Sequence, residues 1–545
     1  MNKIYYLFLS SFLIITAMNN LHATDRIGNI YLEKRDIFDT TKFQFKFFEQ
    51  IANALHIQTC DYVIEDELLF AAGDDYNDDL IYETERNLRN LGIFSQVKIE
   101  LDSVNSVTSD VIVNVQDNWS TRLSALFGSG GKENTYGARI EEINLIGTNT
   151  KFKIEGLYRT ENNIQWQGQG LLENRRLFRS PIGTRFSIFS NKYRTEQAAS
   201  IYKEFNSLNS KFAFSLTVIN KFGNEFIYKH GENIKDDNLQ MYSNEQFVSL
   251  YLSRAWRNID RVFVSTIFEY HKVDREFKEY ERAYDNMGRF LIAFSSAAED
   301  YVPMKGVNGY TVEDVPIGGW GSAILGRVFP MGNGGTNPMY YVAGQAERSY
   351  LSDNQDLYLF GQISASTCFS QSEPANTYQE FLGLAFYKLS PKWILAGRFR
   401  QQNVWNWQNN YRQLLLDNEN GIRGYRLNEL RGDNRIYSNL ELRWMPNIPF
   451  WFFNFGVNAF YDFGSVWNRN TQLDKTQWHN SAGLGLRFYN DKGGDNASCF
   501  RIDFAYNFDE KKIAEIVFST NQFFSAFGLH TFEAPRLFGT DNDID

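Results

Sequence analysis

From Trp119 onward, apolar and polar residues take turns along the chain. Leu123, Ala125 and Phe127 alternate with Arg122, Ser124 and Leu126, and Phe152, Ile154, Gly156 and Tyr158 with Lys151, Lys153, Glu155 and Leu157. Near the other end, Leu440, Leu442 and Trp444 alternate with Asn439, Glu441 and Arg443, while Ala482, Leu484, Leu486 and Phe488 alternate with Ser481, Gly483, Gly485 and Arg487. Phe500, Ile502, Phe504 and Tyr506 alternate with Arg501, Asp503, Ala505 and Asn507. A period of two puts each set on its own face of a strand. Charge recurs on the second face of strand after strand, which a sandwich cannot sustain. A transmembrane antiparallel β-barrel, apolar outside and polar within, can. A soluble β-solenoid would show a fixed repeat, and none is present. At about 9–11 residues per crossing and an even strand number, roughly sixteen to twenty segments fit, and sixteen is the expectation. Turns in Asn191 to Asn220 and Asp285 to Gly335 are the hardest to place. Long polar connections are expected at Lys192 to Ser210, Gly231 to Glu245 and Gln402 to Arg435, on the extracellular side.

Before Trp119 the pattern is that of a small α/β domain. Ile27 to Tyr31 predicts a strand. Phe48, Ile51, Ala52 and Leu55 predict a helix from Phe47 to His56, and a second helix starts at Thr59 and stops at Gly73. A third follows Asp78, with Leu80, Thr84, Leu88 and Leu91 as its buried stripe, Glu83, Glu85, Arg86 and Arg89 on its wet face, and Gly92 at its end. Two strands close the unit, one carrying Val97, Ile99 and Leu101 and the next Val111, Val113 and Val115.

Composition sharpens this picture. Aromatic residues make up 16% of the 545 residues, yet the mean hydropathy is -0.42. That combination suits strands with one face on lipid and one on water. Met1 to Ala23 reads as a secretory signal: Lys3, an apolar run from Ile4 to Ala17, then Leu21-His22-Ala23 as the cleavage point. That run is too short to span a bilayer as a helix, so a membrane protein of this sequence must close as a barrel. A net charge of -10 argues against nucleic acid as a partner. The three cysteines, Cys60, Cys368 and Cys499, are too scattered for a disulfide framework or a zinc site.

One pair of motifs stands out. Gly421-Ile422-Arg423-Gly424-Tyr425 lies among polar turn residues, so Arg423 sits at a loop tip between two glycines. Within Phe460-Tyr461-Asp462-Phe463-Gly464 the alternation from Trp451 to Phe463 puts Asp462 on the mixed face of a strand. An arginine on an infolded loop and an aspartate on a wall make a natural pair. The pair serves either as a structural staple for the loop or as the latch of a moving plug, and the staple is the favoured reading. Exchanging the two charges should then partly restore what Arg423→Ala loses. No His-Glu-x-x-His, no phosphate loop and no Gly-x-Ser-x-Gly turn is present. The expectation is a protein that is not an enzyme and needs no cofactor or metal.

These residues resemble the BamA/TamA superfamily of outer-membrane assembly and translocation barrels. Gly421, Arg423, Gly424 and Tyr425 look like the tip of that family's inward-folded loop, and Phe460, Asp462 and Gly464 like the strand motif that meets it. Asn144-Leu145-Ile146-Gly147 resembles its first hairpin, and Gly73-Asp74-Asp75-Tyr76-Asn77 with Leu88 to Phe94 and Val97 is similar to a POTRA domain. The resemblance implies a POTRA-like periplasmic domain at residues 24–117 and a sixteen-stranded outer-membrane barrel at 118–545, with the infolded loop at 403–435. It also implies assembly or translocation of polypeptides. The partners are then outer-membrane lipid, an unfolded polypeptide or passenger protein, and periplasmic accessory proteins. The docking edge would be Gln96, Val97, Lys98, Ile99, Glu100 and Leu101, and the exit a weak seam between the first strand (Arg122 to Gly128) and the last (Ala514 to Phe524). A solute channel or surface-binding barrel that keeps the loop lock is the alternative. The chain departs from the family in having one POTRA-like domain, no lipase domain, and a polar or plug-like extension beyond the last strand in place of a terminal aromatic residue.

Overall fold

The computed structural model describes residues 26–37, 56–103, 108–130, 133–160, 163–205, 210–226, 240–257, 260–310, 312–331, 337–407, 414–418, 420–426, 429–450, 453–490, 498–524 and 534–540. The chain divides into two compact units, residues 1–120 with Ile143–Asn149, and Thr121–Glu142 with 150–545. The signal segment from Met1 to Ala23 lies outside the described residues, as does the helix expected from Phe47, apart from His56, which is not helical.

In the smaller unit, alternate valines set the sheet. Val111, Val113 and Val115 of β3 (Thr108–Asp117) are fully buried against Ile27, Ile64, Leu88 and Ile93. Beside β3 run β1 (Arg26–Arg35), parallel to it, and β2 (Phe94–Ser103), antiparallel. Helix α1 is short, Asp61–Glu65, and Cys60 rather than Thr59 precedes it. Thr59 is taken by β3, where its amide and hydroxyl both donate to the Asp117 carboxylate at 2.9 Å. Helix α2 (Asp78–Asn90) starts where Asn77 Oδ1 accepts from the amides of Asp79 and Leu80. Its buried face includes Glu83, expected on the wet side, beside Thr84, Asn87 and Leu88. Ile143–Asn149 belongs to this unit, with Asn144 Nδ2 donating to Thr59 Oγ1 at 2.8 Å and Cys60 N to the Gly147 carbonyl at 2.9 Å.

In the larger unit, twenty strands among the described residues close into one antiparallel ring. It begins with β4 (Thr121–Gly130), β5 (Glu133–Glu142), β6 (Thr150–Arg159), β7 (Gln165–Asn174), β8 (Gly183–Asn191) and β9 (Arg194–Lys203). It continues through β10 (Phe212–Phe226), β11 (Gln240–Trp256), β12 (Arg261–Arg275), β13 (Met287–Lys305) and β14 (Val312–Pro330). Next come β15 (Met339–Leu351), β16 (Leu357–Ser370), β17 (Glu373–Ser390) and β18 (Trp393–Trp405). Two short strands, β19 (Leu414–Leu415) and β20 (Arg431–Gly432), pair with each other in the loop that follows. The ring resumes with β21 (Asn434–Phe450), β22 (Phe453–Trp467), β23 (His479–Asn490), β24 (Ser498–Asn507) and β25 (Lys512–Asn521).

The expected sixteen is therefore corrected to twenty. Arg194–Lys203 is a strand where the polar composition suggested a loop from Lys192 to Ser210, and the turn before it is tight because Asn191 Oδ1 accepts from the amides of Tyr193 and Arg194 at 2.8 Å. The stretch from Asp285 to Gly335 holds two 19-residue strands paired along their whole length. Of the loop expected at Gly231 to Glu245, the part from Gln240 is strand and the rest lies outside the described residues.

The ring inverts the burial of a water-soluble protein. Along β15 every second residue is buried: Tyr340 is 63% exposed while Tyr341 is 1%. Leu123, Ile154, Trp166, Phe294, Leu440 and Leu484 are among the exposed apolar residues, and Glu225, Glu269, Arg289, Gln345 and Glu347 among the buried polar ones. Such an outer face is stable only against an apolar solvent. Because strands run alternately up and down, Thr121 and Asn521 lie at the same end, here called proximal, and the loop between β18 and β21 enters from the distal end. At the proximal mouth the β13–β14 turn reaches inward, where the Tyr310 hydroxyl accepts from Asn447 N at 3.2 Å and donates to the Phe455 carbonyl at 3.0 Å.

Candidate functional site

The β18–β21 loop carries Arg423 into the lumen because the surrounding positions leave it room. Gly421 has φ 142°, and a Cβ there would lie 2.8 Å from Leu416 Cδ1 and 3.1 Å from the Tyr437 ring. Asn418 Oδ1 accepts from Gly424 N at 2.6 Å, and Asn507 Nδ2 donates to the Gly424 carbonyl at 2.9 Å. Arg423 thus arrives on a backbone held from both sides.

Its guanidinium is wholly buried. Asp462 Oδ2 accepts from Arg423 N at 3.1 Å and from Nε at 2.7 Å, and Oδ1 accepts from Nη2 at 2.8 Å. Nη1 donates to Glu441 Oε1 at 2.7 Å and lies 3.9 Å from Asp503 Oδ2. The Phe460 ring faces Cζ at 3.6 Å, and the Phe523 ring lies 4.2 Å away. Burial alone would pull the arginine's pKa down; the attraction of Asp462 and Glu441 outweighs it and holds the pKa above the usual arginine range.

Around this centre the polar faces of four strands converge. Asn439 Nδ2 donates to the Gly421 carbonyl at 2.7 Å and to Asp462 Oδ1 at 2.8 Å. Arg443 Nε donates to Glu441 Oε2 at 2.8 Å, while Asp503 takes Arg487 at 2.6 Å and Arg501 at 3.1 Å. The Tyr425 hydroxyl lies 2.9 Å from Asp509 Oδ2 and accepts from Asn480 N at 3.1 Å. Gly464 acts through its register partner: a Cβ there would lie 2.7 Å from Tyr437 Cβ, so the glycine admits the ring that also packs on Gly421.

Gly421, Arg423, Gly424, Tyr425, Phe460, Asp462 and Gly464 therefore gather in one place. Sequence reasoning missed Asn439, Glu441, Asp503 and Phe523. The first three sit on strand faces already legible as polar, but which polar residue stands beside which depends on register, and no local pattern sets that.

The residues from Gln96 to Leu101 lie in the smaller unit, on β2. That strand pairs with β3 on one side, and among the described residues no strand pairs with the other. The open side is partly capped, because the amide of Ile99 donates to Glu85 Oε1 at 2.7 Å. Lys98 and Glu100 pair with each other on the exposed face.

At the ring's closure, among the described residues, β25 and β4 share a single registered pair, Phe518 with Ser129, while β24 and β25, or β4 and β5, run in register along most of their length. The last strand ends at Asn521, short of the Phe524 expected from sequence, and the chain turns into the lumen. Phe524 packs on Phe386, and its carbonyl accepts from Arg443 Nη2 at 2.8 Å.

No family model matches the chain, and no curated protein matches it. Among solved structures, BamA from Haemophilus ducreyi lacking POTRA domains 1–3 is similar at 12% identity, covering 90% of this chain and 83% of that one, with a TM-score of 0.40. CdiB from Acinetobacter baumannii is similar at 14% identity over 91% of this chain and 73% of that one, with a TM-score of 0.45. CdiB from Escherichia coli is similar at 11% identity over 91% and 74%, with a TM-score of 0.41. Likeness at this level adds nothing to what the strand ladder itself establishes.

Proposed function

We propose that this chain is an outer-membrane barrel of the BamA/TamA kind that assembles or translocates polypeptides without catalysing a reaction, with its N-terminal unit serving as a POTRA-like domain in the periplasm. The observation that carries the reading is the seam. A strand edge left unpaired in hydrocarbon is costly, and among the described residues β4 meets β25 at one registered pair. An incoming strand that pairs with β4 trades one set of main-chain hydrogen bonds for another, so no nucleotide is needed. The pinned loop supports the same reading: with Arg423 bound to Asp462 and Glu441, the lumen wall from β21 to β24 is braced while the seam beside it is free to part. The solute-channel alternative is less favoured, because the loop and the segment carrying Leu537 and Phe538 both pack in the interior. Photocrosslinkers placed along β4 in the full chain test the proposal. Adducts with a nascent barrel or passenger support it, and lipid adducts alone at every β4 position during active assembly refute it.

A further inference from the structure

Beyond its last strand the chain re-enters its own barrel and is held at two stations. At the proximal mouth, Gln522 Nε2 donates to the Asn308 carbonyl at 3.2 Å and to the Tyr489 hydroxyl at 2.8 Å. Phe523 then lies 5.0 Å from the guanidinium carbons of both Arg398 and Arg501, besides its contact with Arg423. The neighbours of Phe524 are proximal too: Phe386 lies late on a descending strand, and Ile394 and Cys499 begin ascending ones.

The second station is at the opposite end. Leu537 and Phe538 are buried with Tyr341, Cys368, Tyr378 and Trp407. Tyr341 and Tyr378 stand early on the descending strands β15 and β17, and Trp407 follows the end of ascending β18, so this pocket is distal. It reads main chain as well as side chain, because the Tyr341 hydroxyl accepts from Phe538 N at 3.0 Å and donates to the Arg536 carbonyl at 3.2 Å. It also demands glycine next: Gly539 has φ 81°, and a Cβ there would come within 2.6 Å of Trp407 Cη2 and 2.9 Å of Tyr378 Cδ2.

We infer that the distal pocket of Tyr341, Tyr378 and Trp407 is a binding site for an aliphatic–aromatic–glycine segment of extended polypeptide, occupied here by the chain's own Leu537-Phe538-Gly539, and that the segment so bound closes the distal end of the barrel. An ordinary barrel with an even number of strands leaves both termini on one side; this one delivers Thr540 to the side opposite Thr121. A polypeptide using the lumen must first displace the tail, a step that rests on the function proposed above. The binding of Leu537-Phe538-Gly539 itself does not.

The test uses the full chain in its membrane. Thr540 is exposed, Cys368 and Cys499 are buried, and Cys60→Ser removes the remaining thiol from the background. With Thr540→Cys added, a membrane-impermeant maleimide is expected to label the protein from the cell surface. Labelling only from the periplasmic side would overturn the inference, whatever the barrel transports. In planar bilayers, L537D/F538D and, separately, Gly539→Val are expected to raise the conductance several-fold while the barrel's heat-modifiable gel mobility is retained. Unchanged conductance in a folded variant of either kind would show that the tail does not close the lumen.

Discussion

Asp462 holds Arg423 by main chain and side chain together: one carboxylate oxygen takes both the amide and Nε of Arg423, and the other takes Nη2. The contact fixes the position of the loop backbone as well as the direction of its cation, and it does so with both residues sealed from solvent.

Arg423→Ala should be severe for that reason. It leaves Asp462 buried with no cation, while Glu441 keeps only Arg443, and stranding a buried charge costs roughly 3–5 kcal/mol. The folded barrel's urea midpoint, followed by gel mobility, is expected to fall accordingly, and assembly activity with it. Arg423→Lys should recover only part, since an ammonium cannot reproduce the planar fork on Asp462. The pKa of Arg423 is raised on folding, so its contribution is fully present below the ordinary arginine value. It fades only as pH rises through the higher folded value, and no alkaline release of the loop is expected below that range.

Exchange of the two charges, attractive on the sequence alone, should fail. An aspartate at 423 would face Glu441, which now accepts from Nη1 at 2.7 Å, and Asp503, at 3.9 Å. Arg423→Asp with Asp462→Arg is predicted to be no better than Arg423→Ala in the same unfolding measurement. Recovery to the parent midpoint would mean that Glu441 and Asp503 do not share the cation.

Gly464→Ala tests the packing side of the lock. The added methyl would meet the Ile436 carbonyl at 2.6 Å and Tyr437 Cβ at 2.7 Å, both on the neighbouring strand. Overpacking of this kind costs about 1–3 kcal/mol. A midpoint between those of the parent and Arg423→Ala is expected.

The edge of β2 makes a prediction of the opposite sign. Glu85 occupies the Ile99 amide, so Glu85→Ala should free one donor for strand addition. Crosslinking of extended substrate from a probe at Lys98 is expected to rise in that variant. A fall would place docking elsewhere.

Much of this was legible in the sequence because lipid and lumen impose opposite demands on neighbouring residues. Leu440, Leu484 and Phe504 are exposed and Asn439, Glu441 and Asp503 buried, as the period of two required. The glycines around Arg423 and the parity of Asp462 were local signals too. The rest was not local. Arg194–Lys203 reads as polar because its exposed side is weakly apolar, so a strand passed for a loop and the ring was undercounted. Glu83 turned inward although its spacing favoured solvent. The tail station at Leu537 and Phe538 depends on Tyr341, Tyr378 and Trp407, which only strand register brings together.

The most direct measurement is a reversible staple across the seam. Cysteines at Phe518 and Ser129, a registered pair between β25 and β4, would join first strand to last on oxidation. Insertion of a barrel substrate into liposomes should stop in the oxidised protein and return on reduction, with the barrel folded throughout. Equal insertion in both redox states would contradict a path that opens between those strands.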